Sequence, residues 1–476
     1  RRSHLGRRAP ARGMPGGLRA EVLLQLRLAL PIAGANLIQR SSTWVTWACV
    51  GHLGTEFLAP VTLASSVNNV LGTSVVGGLS MGVSTLASQA HGARDHVALG
   101  RVLQRAILVG LLGSLPCVAI LLLMEPLLLA LGMGAEFAGR AGAYARCVLL
   151  VTPCMGIQRS VGMWLVAQNI VTPRLVVQLV AVPVHAALTC WLTFGTRLHY
   201  VGAGIAMSLS TFLQLLMMYG YLTCSPRCRA TWPGFSRDAL RDWQPYLQVA
   251  LPGVFMNAEY FIGELLTFIA SLLPSPDTCL SALSIYQLTQ TTCYQIPSGI
   301  RMVVTTRVGN QLGAGDAGKA EAAQRVGLRL TLFWIVLPTA LFLVCTRQWG
   351  LIFTTDADVL KLLGSLVYVM LAYSDADAML AFYNGVLAAC GQQKVSGRWA
   401  IRAYVLVGFP IAIALAFVAK LGTLGLVAGH TVGKVCHTLP CLLAVRRIDW
   451  PLESQRAIDR VQRISNPTSV PLASRG

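Results

Sequence analysis

Two carboxylates lie deep in an otherwise apolar run: Glu259 and Glu264 in QVALPGVFMNAEYFIGELLTFIASLLP, residues 248–274. About 20 apolar residues, rising 1.5 Å each, cross the hydrocarbon core of a bilayer. A charge at that depth costs roughly 2.5–3.5 kcal/mol on insertion scales, so an ionisable group kept there is expected to have a use. At 100° per residue the two glutamates project about 140° apart around a helix and about 7.5 Å apart along it. Both can border a wide aqueous cavity, but they cannot share one narrow seam. Asp375 and Asp377 fall in a later apolar segment, about 200° apart, so one of them is expected to face the cavity. A carboxyl group held away from water can load and release a proton near neutral pH. Ionised, the same group attracts an organic cation. One site can then serve both ligands in turn: protonation releases the cation and deprotonation rebinds it.

Other residues bear on that chemistry. Tyr260, Phe261, Tyr286, Tyr294 and Tyr383 can add cation–π and stacking contacts, although a tyrosine on a membrane helix is more often simple packing. Asn69, Gln89 and Gln287 are candidate polar liners of a cavity. His185, His430 and His437 sit in apolar segments, with Lys434 beside the last two; isolated membrane histidines are usually packed and hydrogen-bonded. The plainer reading of the acids is structural, as buried partners of Arg40, Arg159 or Arg301.

These residues must be positioned by membrane helices. Of 476 residues, 54% are hydrophobic and 12% charged, and the mean hydropathy is +0.60, values of a polytopic membrane protein. The net charge of +19 does not indicate nucleic acid, because the arginines lie in short loops between apolar runs. The thirteen cysteines are scattered, and Cys224 and Cys228 have no second pair to complete a metal site. No metal and no cofactor is expected, and no nucleophile, base and oxyanion donors combine into an enzyme site. GAGDAGK, residues 313–319, has the spacing of a phosphate loop but lacks the hydroxyl that binds Mg²⁺ and a preceding strand.

Twelve apolar segments follow a basic Gly/Pro-rich start: 22–48, 59–88, 102–128, 141–165, 173–195, 200–223, 246–273, 279–306, 322–345, 359–388, 399–419 and 422–445. The even-numbered loops carry the arginines and lysines, which places both termini in the cytosol by the positive-inside rule. Ala29-Leu30-Pro31 recurs as Ala250-Leu251-Pro252, Asn36 as Asn257, Gly92-Ala93 and Asp95 as Gly313-Ala314 and Asp316, and Gly204 as Gly425. Every match has the same offset of 221 residues. Six segments per half is an even number, so the repeat is parallel, with a pseudo-twofold axis along the membrane normal. The expected organisation is a disordered leader (1–20), an N-terminal six-helix lobe (21–223), a linker (224–245), a C-terminal lobe (246–446) and a tail (447–476). The acids at 259, 264, 375 and 377 have Ile38, Thr43, Cys154 and Gly156 as first-half counterparts, so charge binding is expected in the C-terminal lobe alone.

The stretches GHLGTEFLAPVTLA (51–64), LASQAHGA (86–93), LVAQNIVTPRL (165–175), ALPGVFMNAEYFIGE (250–264), IPSGIRMVVTTRVGNQLGAGD (296–316), IFTTDADV (352–359) and GVLAACGQQKV (385–395) resemble the eukaryotic branch of the multidrug and toxic compound extrusion (MATE) family. The resemblance implies twelve spans in two lobes and a proton-driven antiporter that exports organic cations. Rocking of the two repeated lobes is expected to alternate the access of a central cavity, Na⁺ is the alternative driving ion, and the chain is expected to work as a monomer. It places Glu259 and Glu264 on the family's seventh-span acid pair and Asp377 on its tenth-span acid. It differs where the family's tryptophan pair is Tyr260-Phe261, where animal members carry an eighth-span acid and this chain has Tyr286, Gln287 and Leu288, and at Ser84 in place of a second-span Asp. The expected location is the plasma membrane, with a vacuolar or other endomembrane as the alternative. Export of organic anions or metabolites, and flipping of a lipid-linked precursor through a basic cavity, are the rival functions.

Overall fold

The computed structural model describes residues 15–466; residues 1–14 and 467–476, most of the expected leader and the end of the tail, lie outside the described residues. Every regular element among the described residues is helical. Six spans form each lobe. The first is Pro15–Gly51. The second comprises Thr55–Val67, a π-turn at Asn68–Thr73 and Ser74–Gly92. The third is His96–Leu122, the fourth Ala135–Cys147 with Val151–Ala167, the fifth Thr172–Phe194 and the sixth His199–Cys224. In the second lobe the seventh span is Gln244–Met256 with Ala258–Ala270, and the eighth Pro276–Cys293 with Gln295–Gly313. The ninth is Ala317–Leu351, the tenth Ala357–Ala389, the eleventh Gln393–Val418 and the twelfth Gly422–Arg446. The first helix begins at Pro15, within the stretch expected to be disordered, and the third begins at His96, ahead of the expected 102.

The duplicated loop explains its own recurrence. In the first copy Ala93 closes one helix, Arg94 takes a left-handed φ of 57°, and Asp95 caps the next helix by accepting from Ala98 N at 2.9 Å. In the second copy Gly315 takes φ 80° and Asp316 accepts from Lys319 N at 2.9 Å. A C-cap, a left-handed residue and an Asp N-cap make a tight helix reversal in few residues.

The offset of 221 also relates the contacts between the lobes. The carbonyl of Asn310 occupies the space a Cβ on Gly92 would need, and the carbonyl of Gln89 occupies that of Gly313. A Cβ on Gly78 would stand 2.5 Å from the backbone of Val254, and one on Gly299 would stand 3.4 Å from Ala33. Asn36 donates to Ser298 Oγ at 2.9 Å, and its repeat, Asn257, donates to Ser74 O at 2.8 Å. The glycine contacts map onto one another when the lobes are exchanged, as a pseudo-twofold axis between them requires, while the two asparagines reach the opposite lobe three residues out of register.

These contacts gather toward the ends that carry the basic loops. There Thr85 and Gln89 donate to the carbonyls of Ala388 and Ala389 at 2.7 and 2.8 Å, and Arg307 forms a two-pronged pair with Glu21 of the other lobe at 3.0 and 2.8 Å. Toward the opposite end, Thr55–Val67 packs mainly on the first and fourth spans and Ala258–Ala270 on the eighth, eleventh and twelfth, and the lobes touch there through side-chain hydrogen bonds, from Ser66 Oγ to Glu264 Oε2 at 3.2 Å and from Arg40 to Thr291 Oγ1 at 3.3 Å. The basic-loop end is therefore the tightly closed end of the interface between the lobes.

The linker is not a free tether. Arg101 of the third span pairs with Asp238 at 2.7 Å, and Trp232 joins the core of the first lobe. A last helix, Trp450–Ser465, lies across both lobes at the closed end, burying Ala457, Val461 and Ile464 on one face. It accepts from Arg101 at the carbonyls of Ile464 and Ser465 (3.0 and 2.6 Å) and donates from Ser454 to Leu312 O (3.1 Å) and from Arg460 to Cys390 O (2.7 Å).

Candidate functional site

The seventh span was expected to be continuous, but it breaks at Asn257, whose φ of −90° and ψ of 7° leave the helix. The helix restarts at Ala258, placing Glu259 in the first turn of a new segment, where the helix dipole favours a negative charge.

Three later spans converge on that carboxylate. Tyr404 Oη donates to Glu259 Oε2 at 3.0 Å, and Tyr373 Oη and Lys434 Nζ both donate to Oε1. The same ammonium donates to Asp377 Oδ1 at 2.8 Å. It stands 4.6 Å from the ring centre of Tyr373 and 5.8 Å from that of Tyr404, within cation–π range. Tyr373 and Asp377 are one helical turn apart on the tenth span, so both face the same way. Tyr404 lies in a π-turn of the eleventh span, Arg402–Gly408, a local widening that re-aims side chains. The twelfth span can bring Lys434 in because it packs backbone to backbone on the eleventh: a Cβ on Gly433 would stand 3.1 Å from Gly408 Cα.

Burial is uneven across the group. The Lys434 side chain is 0% exposed, whereas those of Glu259 and Asp377 keep 24% and 15%. Two carboxylates against one ammonium leave one surplus negative charge when all three are ionised. Desolvating such ions costs several kcal/mol each, repaid only by close pairing and further hydrogen bonds, which the two phenols supply.

The remaining candidates sit elsewhere. Glu264 accepts from Ser66 Oγ of the other lobe at 3.2 Å, so it faces that lobe and not Lys434. Asp375 accepts from Thr339 Oγ1 at 3.1 Å and shares with Asp377 a crevice among the eighth, ninth and tenth spans, lined also by Thr289, Tyr294 and Pro338. Gln287 donates to Thr267 Oγ1 at 2.8 Å, tying the eighth span to the seventh. The side chain of Tyr260 lies outside the described residues. Phe261 is exposed, while Tyr286 and Tyr383 are core residues. Gln89, expected to line a cavity, instead fastens the lobes together. The structural reading of Glu259 and Asp377 expected arginine as their partner; their counter-ion is Lys434, and Arg301 reaches Met81 Sδ at 4.0 Å.

Asn69 borders a second cavity, inside the first lobe, with Gln39, Ser42, Gln158, His185 and Gln214. His185 is bonded there to Thr46 and Ser210 at 3.0 and 3.1 Å, and among the described residues no Asp or Glu lines the cavity. In the second lobe His437 Nε2 meets Ser396 Oγ at 2.9 Å, while the ring of His430 lies 5.1 Å from that of Tyr373. Sequence reasoning missed Tyr373, Tyr404 and the role of Lys434. Lys434 had a legible signal: a lysine in the middle of an apolar segment is expensive unless paired. The tyrosines had none, because nothing local separates a tyrosine that aims at a charge from one that packs.

A family model described as MatE matches the chain twice, over residues 31–191 and 252–414, and the two matches begin 221 residues apart. Protein DETOXIFICATION 16 of Arabidopsis thaliana is 32% identical over 459 residues, covering 96% of this chain and 94% of the relative. The human multidrug and toxin extrusion protein 1 is 32% identical over 438 residues, covering 91% and 76%. The crystal structure of the eukaryotic MATE transporter AtDTX14 superposes with a TM-score of 0.88 at 27% identity, covering 94% of this chain and all of that one. A multidrug resistance MATE family transporter in an outward-facing conformation shares the fold, with a TM-score of 0.79 at 16% identity, covering 93% and 97%.

Proposed function

The chain belongs to the MATE family, and from that premise we propose that it exports small organic cations in exchange for protons. It is a multi-pass membrane transporter, not an enzyme. The observation that carries the proposal is the convergence of Glu259, Asp377, Tyr373 and Tyr404 around one ammonium group in the second lobe. Carboxylates and aromatic faces are the groups that recognise an organic cation in water-poor surroundings. A proton on Glu259 cancels the attraction, so cation and proton compete for one site and no signal between distant sites is required. With the basic loops in the cytosol, the tightly closed end of the lobe interface faces inward, which supports an outward-facing state. Rocking the lobes about their glycine contacts exchanges the two accesses, and the transporter works as a monomer at the plasma membrane.

The test is proteoliposome uptake of a fluorescent organic cation across an imposed pH gradient. Glu259→Gln and Asp377→Asn should each lower gradient-driven transport by at least about tenfold, the effect of 1.4 kcal/mol, while purifying as folded protein. Unchanged transport by either variant removes that residue from the coupling role. Transport driven equally by a Na⁺ gradient at constant pH would replace the proton as driving ion.

A further inference from the structure

The group around the Lys434 ammonium has the make-up of a receptor for a free organic ammonium: two carboxylates and two tyrosine rings, at hydrogen-bond and cation–π distances. Here one wholly buried lysine is shared by two acids that both keep some exposure, and one negative charge is left over. The lysine also has a way to yield. Its Nζ bridges Glu259 and Asp377, so it can settle on Asp377 alone and free Glu259 without ever being left unpaired.

We propose that Lys434 is a tethered occupant of the substrate site, holding the place of the transported ammonium until a free cation displaces it onto Asp377. This rests on the organic-cation reading above and adds three consequences. The empty transporter keeps both of its buried acids paired. Weak cations are excluded, because each must outcompete a cation held permanently at the site. Glu259 becomes the exchanging carboxylate and Asp377 the anchor of the lysine. An internal competitor scales the apparent affinity of a ligand by the fraction of time it leaves the site free.

The test is equilibrium binding of ethidium to the full chain in lipid nanodiscs at fixed pH. Lys434→Met should bind ethidium at least tenfold more tightly than wild type. Asp377→Asn should bind at least tenfold more weakly, because Lys434 then commits to Glu259. The decisive variant is the double substitution Asp377→Asn with Lys434→Met. It keeps the net charge of the site and so answers even where Lys434→Met alone does not fold, and it should return to within about threefold of wild type or better. A double variant as weak as Asp377→Asn, or a folded Lys434→Met with unchanged affinity, overturns the proposal and makes Lys434 a structural counter-ion. Wild type that does not bind ethidium fails differently, since it rejects the organic-cation reading itself.

Discussion

At the scale of single residues, the two aspartates of the tenth span separate by partner. Asp377 holds Lys434 at 2.8 Å, whereas Asp375 takes a hydroxyl from Thr339 at 3.1 Å. Transport by Asp375→Asn should therefore stay within about twofold of wild type, since an amide oxygen can accept the same bond, while Asp377→Asn falls at least tenfold. Equal losses in an uptake assay would show that both acids serve the cation. The duplicated loop offers a second residue-scale contrast. Arg94 holds a left-handed φ of 57° where its repeat has Gly315 at 80°. Left-handed backbone costs an ordinary L-residue about 1–2 kcal/mol, so Arg94→Gly should raise the thermal midpoint and Gly315→Arg should lower it. Midpoints that move the other way would mean that the exposed arginine contributes more than its backbone costs.

At the scale of elements, function depends on places where helices stop being regular. The break at Asn257 turns the middle of a span into the start of one, and the π-turn at Arg402–Gly408 aims Tyr404 at the acid. Close helix contacts matter as much. The Gly313 position faces the Gln89 carbonyl with no room for a side chain, so Gly313→Leu should prevent the lobes from meeting at the basic-loop end. Ser88, buried against Gly309 in that seam, provides the reporter. In a background lacking the native cysteines, Ser88→Cys should react with a maleimide several-fold faster when Gly313→Leu is present. An unchanged labelling rate would show that the seam relaxes around the added side chain.

At the scale of the whole molecule, the scaffold is symmetric and the chemistry is not. Glycine contacts between the lobes obey the repeat, yet the second lobe carries an acid–lysine–tyrosine group and the first a neutral polar cavity around His185. Two features outside the repeat hold the closed end: the Glu21–Arg307 pair and the tail helix Trp450–Ser465, which hydrogen-bonds to Arg101 in one lobe and to Leu312 and Cys390 in the other. A partly buried, two-pronged arginine–carboxylate pair is among the stronger surface interactions, and the helix adds buried apolar area to it. Truncation after Arg447, alone or with Glu21→Gln, should raise the labelling of the Ser88→Cys reporter several-fold. No increase would show that the glycine seam alone sets the closed state.

From the sequence by itself came the membrane class, the two six-span lobes and the lopsided placement of the acids. These rest on composition, on apolar runs of bilayer length and on a repeat of constant offset, all of which are properties of the chain in order. The same regularities located Glu259 and Asp377, because a carboxylate in an apolar run is conspicuous wherever it folds. Only the tertiary structure decided what those acids touch. The residues that complete the site are 114, 145 and 175 positions from Glu259 along the chain, and they meet it because glycine contacts and irregular turns bring three later spans against the seventh. Burial and pairing are properties of that packing. They divide Asp377 from Asp375, make Gln89 a fastener and give the acids a lysine for a partner.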